Sequence, residues 1–184
     1  MNYARIQNNK VAEYPLSWSD IVSQHPDTSF VYGDYTPPKG YVLVKTEPIP
    51  EHNQWLQKAV KDKVKKVGSA WVEKYLIVDK TGDELEQGKV EYSAWLKKQM
   101  IEKTQLRLDE FAQSKGYDNI LSACTYATSK VEKYRAEGQR AVDLRDETWG
   151  TLENILNAID AGILAFTTSY DDIEQELPVL SWTA

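Results

Sequence analysis

Few residues in this sequence have the types and spacing that catalysis or metal binding requires. Its only histidines, His25 and His52, have no second ligand at helical or loop spacing, so a metal or general-base role would need groups from distant parts of the chain. His25 directly precedes Pro26 and is more simply explained as the end of a helix. The sequence also lacks a phosphate loop, a dinucleotide fingerprint, a nucleophile elbow and a calcium loop. We therefore predict that the chain is not an enzyme and has no cofactor or metal.

The acidic residues near the end of the chain are a weaker candidate for metal binding. Asp171, Asp172, Glu174 and Glu176 could offer oxygen ligands to calcium, but they lack the spacing and turn glycine of a calcium loop. A solvated acidic segment is the simpler interpretation. Cys124 lies among small and apolar residues, which predicts a buried, inert thiol, and a single cysteine excludes an intrachain disulfide.

The charge of the chain argues against two classes of partner. A net charge of −6 over 184 residues does not fit a general nucleic-acid binder, which needs a basic face to displace phosphate counterions. No apolar run is long enough to cross a membrane, and the first residues lack a basic-then-apolar signal pattern. We therefore expect a protein that folds in a reducing cytoplasm and binds neither nucleic acid nor membrane.

Charge is also unevenly distributed along the chain. From Asp146 onward there is neither lysine nor arginine. Five lysines crowd a short central stretch: Lys58, Lys61, Lys63, Lys65 and Lys66. The basic middle and the acidic end could attract each other, within one chain or between copies, but two separate solvated faces are the simpler interpretation.

Short strands and turns are predicted for the start of the chain. Asn8-Asn9 separates two strand-like runs, 3–7 and 10–14, and asparagine tolerates the positive φ angles of a tight hairpin turn. Pro15 is expected to end the second of these strands. Ser17 is a typical N-cap for a short helix that ends near residue 25, and residues 41–46 have the pattern of a further strand.

Residues 54–67 fit two structures. Apolar side chains every four residues suit a helix, whereas lysines alternating with valines suit an exposed strand. We favour a strand that turns at Gly68-Ser69 into a second strand over 70–78, which gives a hairpin with a lysine-lined edge. Lysine on an edge strand discourages unwanted strand pairing.

Helices are predicted for most of the second half. One runs from about 83 to 114, a short one follows an Asp118 cap, and a third runs from a Ser129 cap to about 161. Gly138, inside the third, is expected to permit close helix packing. The expected buried stripe of the first helix is Leu85, Tyr92, Leu96, Gln99, Lys103 and Leu106. That of the third is Val131, Tyr134, Ala141, Leu144, Thr148, Leu152, Ile155 and Ile159.

These elements predict an α+β fold, in which a small antiparallel β unit at the N-terminus is followed by a long helical hairpin. The expected organisation is a mainly β unit over 1–80, a helical hairpin over 81–166 and an acidic, then apolar tail over 167–184. A two-helix hairpin has a thin core, so it needs a third layer from the β unit, the tail or another chain. The need for a third layer favours a protein that acts by binding another protein.

Two stretches of the sequence resemble proteins of tailed bacteriophages. Glu13-Tyr14-Pro15-Leu16 followed by His25-Pro26-Asp27-Thr28-Ser29-Phe30 is similar to the start of many phage proteins encoded beside tail-fibre genes. The segments 107–112, 116–118 and 120–127, with Arg145-Asp146 and Trp149 after them, resemble a helical segment of tail-fibre and tail-fibre-assembly proteins. The apolar and polar residues 163–169 depart from the proline-containing linker usual before the final acidic motif.

The resemblance implies a tail structural protein, associated with a tail fibre or the baseplate, that is made in the host cytoplasm and resides in the virion tail. The alternative is a tail-fibre-assembly chaperone that is absent from the mature virion. Tail fibres are commonly trimeric, so a homotrimer is the most plausible self-association, although the helices lack a sustained heptad. The candidate contact residues are aromatic side chains near loops and chain ends: Trp18, Phe30, Tyr32, Tyr35 and Trp182.

Overall fold

The computed structural model of the protein describes residues 1–31 and 33–182. The chain divides into two compact units, Met1–Lys80 and Thr81–Ala184. The first is built from strands with one short helix, and the second is built from helices, so the predicted α+β class is confirmed. The acidic, then apolar tail that we distinguished from the helical hairpin belongs to the same compact unit as the helices.

The β unit contains seven strands and one helix within its described residues. The strands are β1 (Asn2–Gln7), β2 (Lys10–Leu16), β3 (Tyr41–Thr46), β4 (Gln57–Lys61), β5 (Lys65–Val67), β6 (Ala70–Glu73) and β7 (Tyr75–Asp79), and the helix is α1 (Trp18–Ser23). Five strands form one sheet in the order β2-β1-β3-β6-β5, and β4 and β7 form a separate antiparallel pair.

Local sequence signals set the first hairpin and the helix after it. Asn8 and Asn9 adopt φ angles of 49° and 57°, as the predicted turn requires. Ser17 caps α1, with its hydroxyl accepting from the amide of Asp20 at 3.2 Å while the Asp20 carboxylate accepts from the Ser17 amide at 2.7 Å. Strand β2 continues one residue past Pro15, to Leu16, so the expected strand end at the proline was wrong.

Pairing over longer distances departs from the expectation. The predicted hairpin at Gly68-Ser69 exists between β5 and β6, but residues 57–61 form a separate strand, β4, which pairs with β7. Moreover, β3 and β6 run parallel, in an otherwise antiparallel sheet. Two short breaks, 62–64 and the single residue Lys74, separate the strand segments and let them join different sheets.

The five-stranded sheet buries side chains on both faces. Because successive side chains of a strand point to opposite faces of the sheet, Tyr3 and Ala4 of β1 belong to two different hydrophobic clusters. Tyr3 packs with Leu16 and with Ile21 of α1, whereas Ala4 packs with Val44 and Trp71. The helix and the residues after it therefore cover one face only of this sheet.

The helical unit consists of two long helices and several short elements. The long helices are α2 (Gly82–Gln113) and α4 (Glu132–Asp160); the short ones are α3 (Ile120–Thr125), α5 (Tyr170–Ile173) and two 3-10 turns, Tyr126–Thr128 and Glu174–Glu176. Asn119 caps α3, whereas Asp118 was predicted, and α4 begins after Val131 rather than at Ser129. At α3 the two neighbouring polar residues Asp118 and Asn119 could each supply the cap, whereas Val131 at the start of α4 makes no side-chain cap hydrogen bond.

The predicted stripe was largely correct for α4 and wrong for much of α2. Apart from its exposed first members, Val131 and Tyr134, the α4 stripe is buried. In α2 the buried residues are Gly88, Leu96, Met100, Thr104, Leu108, Phe111 and Ala112. Leu106, which we expected to be buried, is 57% exposed. The prediction failed because apolar residues lie all around α2, so the sequence does not single out one buried face.

The third layer on the two long helices comes from residues 170–182, which we call the C-terminal segment. Tyr170, Ile173 and Leu177 pack with Met100, Leu152 and other residues of the two helices. Arg107 and Arg140 donate to the backbone carbonyls of Pro178 and Ser181, at 2.7 and 2.9 Å. An ion pair between Lys103 and Asp171 adds to these contacts, and a second pair, Lys97 with Asp160, joins α2 to α4. The core that the hairpin could not complete by itself is thus completed within the chain.

Candidate protein-binding surface

Aromatic rings cluster on the α1 side of the β unit. Trp18, the first residue of α1, lies at the centre of this cluster, with ring centroids 5.7 Å from Tyr3, 5.3 Å from Phe30 and 5.6 Å from Tyr35. The Phe30 and Tyr35 rings meet it edge to face, a favourable geometry for aromatic pairs. Residues on β1, α1 and the following loop are thereby held in one group.

The loop after α1 is fixed by polar contacts that the sequence did not reveal. The ring of His25 stacks edge to face on Tyr41, with its Nδ1 3.0 Å from the carbonyl of Ile21. The hydroxyl of Tyr41 donates to the side chain of Gln24 at 2.6 Å. His25 therefore stabilises the end of α1, in agreement with the structural role that we preferred for it.

Part of the cluster is open to solvent. Met1, Tyr3, Trp18 and Tyr35 line a cleft of about 320 Å³, which we call the aromatic cleft. Tyr35 is 51% exposed, whereas Tyr3 is buried and donates through its hydroxyl to the Tyr35 carbonyl at 3.1 Å. Burial, together with the nearby Tyr35, raises the pKa of Tyr3. The cleft thus has an aromatic wall that is suited to apolar or aromatic side chains of a partner.

The structure brings together three of the five predicted contact residues. Trp18, Phe30 and Tyr35 belong to the aromatic cluster, although Trp18 and Phe30 are half-buried within it. Tyr32 lies outside the described residues. Sequence reasoning missed Tyr3. Alternate residues of a strand share a face, so the position of Tyr3 on the predicted strand 3–7 could have indicated that it lies on the same face of the sheet as Leu16.

Trp182, the fifth candidate, contacts the helical unit of its own chain. Its ring stacks on Phe111 with centroids 4.2 Å apart and an interplanar angle of 12°. Its indole N–H lies 3.1 Å from the hydroxyl oxygen of Ser114 and 3.3 Å from the Phe111 carbonyl. Trp182 therefore anchors the C-terminal segment, and its half-buried ring is already largely occupied.

Several residues that we considered for catalysis or metal binding make contacts that stabilise the fold or are partly buried. The Nδ1 of His52 lies 2.8 Å from the Pro50 carbonyl, and Asp172 caps α5 through Ser169. Burial raises the pKa of the Cys124 thiol, which disfavours the reactive thiolate. Among the residues that the structure describes, no group of three or more histidine, cysteine, aspartate or glutamate side chains is placed to hold a metal ion.

Asp109 has a role that the sequence did not predict. It is half-buried, and its carboxylate accepts from the backbone amide of Ile120 at 2.9 Å. The same carboxylate accepts from Gln105. It therefore links α2 to the start of α3.

Glu73 is the one buried acid among the described residues, with 1% of its surface exposed. Lys61 pairs with its carboxylate at 2.9 Å. Burial disfavours the ionised carboxyl, but the Lys61 ammonium and the neighbouring Tyr14 hydroxyl outweigh this and lower the pKa of Glu73. Since Lys61 lies on β4 and Glu73 on β6, this pair connects the two sheets of the β unit.

Comparison with protein-family models, with curated proteins and with solved structures found no significant match. In the described part of the chain, no helix combines the length and apolar character needed to span a membrane.

Proposed function

We propose that this chain acts by binding another protein, without catalysis, as a fibre-associated or baseplate-associated component of a bacteriophage tail. The observation that supports binding is the aromatic cleft, in which Tyr35 stands half-exposed beside Trp18. Exposed aromatic rings on a fixed backbone are effective interface anchors, because they bury a large area with few rotatable bonds. The phage tail assignment is supported by the sequence resemblance alone.

The cleft supports binding better than catalysis because of the groups that line it. Its described lining residues offer thioether, phenol and indole groups but no carboxylate or imidazole for proton transfer. Measurable cleavage of a cell-surface polysaccharide or of peptidoglycan by the pure protein would contradict this proposal.

Binding to purified tail-fibre and baseplate proteins at micromolar concentration tests the proposal directly. We expect Tyr35→Ala to weaken the interaction about tenfold or more, as loss of an interface anchor does. Tyr134→Ala, which removes a 42% exposed tyrosine from the helical unit, is the matched control and should leave binding unchanged. If the chain binds none of these proteins, the proposal is refuted.

Mass spectrometry of purified virions separates the two forms of the tail proposal. A stoichiometric amount of the chain in the virion supports the structural role. Its absence from virions, together with binding to unassembled fibres, supports an assembly chaperone instead. Light scattering on the isolated protein tests the expected trimer.

A further inference from the structure

The two edge strands of the five-stranded sheet lie on opposite sides of one groove. Lys10, Val11 and Tyr14 of β2 line one side, and residues 63–66, which lead into and include part of β5, line the other. Trp71 of β6 also lines this space, whose volume is about 610 Å³. We call it the edge groove. The sheet therefore curls until its first and last strands, in the order β2-β1-β3-β6-β5, face a common space.

Both edges present backbone groups that the sheet does not use. Val67 and Ala70 flank a two-residue turn and form the closing pair of that hairpin, so the next pair, Lys66 and Trp71, is a pair that does not exchange hydrogen bonds. The N–H and C=O of Lys66 consequently point away from β6. In the same way, Val11 follows the closing pair of the Asn8-Asn9 hairpin, and its backbone groups point away from β1.

The charged residues that line the edge groove are lysines apart from Glu13, and the unpaired ones among them are all positive. Lys65 pairs with Asp62 at 2.7 Å, and Glu13 pairs with Arg5 at 3.4 Å. Within the described residues, Lys10, Lys63 and Lys66 form no ion pair. Three exposed ammonium groups therefore surround a groove with an apolar interior that contains Val11, Val64 and Trp71.

We propose that the edge groove binds an extended acidic segment of a partner protein, which adds a strand between β2 and β5. The unused backbone groups supply the hydrogen bonds of strand addition, and alternate side chains of the inserted strand meet the apolar interior and the lysines. The lysines that keep neutral strands from pairing with these edges thus select for a strand that carries carboxylates. This inference specifies a partner segment and rests on the proposed function in protein binding.

Selection from a random displayed peptide library on the immobilised full-length chain tests the inference. We expect the retained peptides to alternate acidic and apolar residues. Their affinity should fall about tenfold or more for the variant Lys63→Glu with Lys66→Glu. The matched control is Lys39→Glu with Lys45→Glu, which makes the same change of charge at exposed lysines of the β unit outside the groove and should leave affinity unchanged. Circular dichroism confirms that both variants are folded.

Methylation of alternate backbone nitrogens in a retained peptide distinguishes strand addition from simple ion binding. Strand addition predicts about tenfold weaker binding of the methylated peptide, because it can no longer donate to the open edges. The inference is wrong if no peptide is retained or if charge reversal has no effect on binding. It is also wrong if the methylated peptide and dextran sulfate, a polyanion without a peptide backbone, bind as well as the parent peptide.

Measurement with the fibre or baseplate partner separates this inference from the proposed function. Partner binding that depends on Tyr35 but not on Lys63 and Lys66 would refute the edge groove as the docking site while leaving the proposed function intact. Loss of binding in both variants supports both.

Discussion

The two units of this protein treat their exposed apolar groups differently. In the helical unit, the stripe shared by α2 and α4 is covered by the C-terminal segment, which contributes Leu177, Leu180 and Trp182 to its cores. In the β unit, the aromatic cleft stays open, and both edges of the five-stranded sheet face an unfilled groove. The comparison shows that an apolar surface left uncovered by one element, such as the exposed stripe of a two-helix hairpin, identifies a binding surface only if no other part of the chain covers it.

The largest expected effect is on the covered side of this comparison. Leu177 is 3% exposed and packs between the long helices and α5. We expect Leu177→Ala to lower the free energy of unfolding by about 3 kcal/mol, through lost burial and a residual cavity. Urea denaturation followed by circular dichroism at 222 nm measures this. Val179→Ala, two residues away and 82% exposed, is the control and should change stability by less than about 0.5 kcal/mol.

A second large effect is expected where α4 approaches the turn that follows α3. A Cβ on Gly138 would collide with backbone atoms of Tyr126 and Ala127, and backbone cannot move aside as a flexible side chain can. Gly138→Ala should therefore destabilise the protein by about 2 kcal/mol.

Gly150→Ala is the matched control for Gly138, since it lies in the same helix with nothing near its Cβ. It should stabilise the protein by about 0.5–1 kcal/mol, because alanine is the better helix former. Equal effects of the two substitutions would show that the contact at Gly138 is not tight.

A smaller effect is expected from the open side of the comparison. Tyr35→Ala removes a half-exposed ring but keeps the carbonyl that accepts from Tyr3, so it should lower the free energy of unfolding by less than about 1 kcal/mol. Trp182→Ala should cost about 2 kcal/mol or more, because its ring is stacked on Phe111. Thermal unfolding of the two variants compares them. A larger loss for Tyr35→Ala would mean that the aromatic cleft is structural rather than available to a partner.

The smallest effect concerns the pH dependence of the β unit. Because the pKa of Glu73 is lowered in the folded state, its ionised form stabilises the fold above its ordinary pKa of 4.5, and that contribution is lost as pH falls through the lowered value. Glu73→Gln should therefore lose less stability on acidification than the unmodified protein. Glu47→Gln, at the exposed pair with Lys74, should retain the ordinary pH dependence. Identical acid profiles for all three proteins would contradict a lowered Glu73 pKa.

Elements with a local cause could be predicted from the sequence. The Asn8-Asn9 hairpin, the Ser17 cap and most of the α4 stripe follow from residues within a few positions of one another. The pairing of β4 with β7 and the parallel pairing of β3 with β6 join strands that are distant in sequence, and no local pattern specifies such a partner.

The same limit applies to the candidate site. Exposed aromatic residues were sensible candidates, and Trp18, Phe30 and Tyr35 indeed lie together. Whether such a ring faces solvent or its own chain depends on tertiary contacts, which is why Trp182 looked equivalent to Tyr35 in the sequence. The edge groove had only the lysines as a signal, since it needs the curl of the sheet to bring β2 near residues 63–66.

The position of the third layer has a consequence for synthesis. The ribosome makes the helices of residues 82–160 before residues 170–182, so the apolar stripe of the nascent hairpin emerges without its cover. At the ordinary rate of translation this interval lasts about one second or more, which is long compared with helix formation. During that time the hairpin offers other nascent chains and chaperones the same apolar surface that it later closes with its own segment.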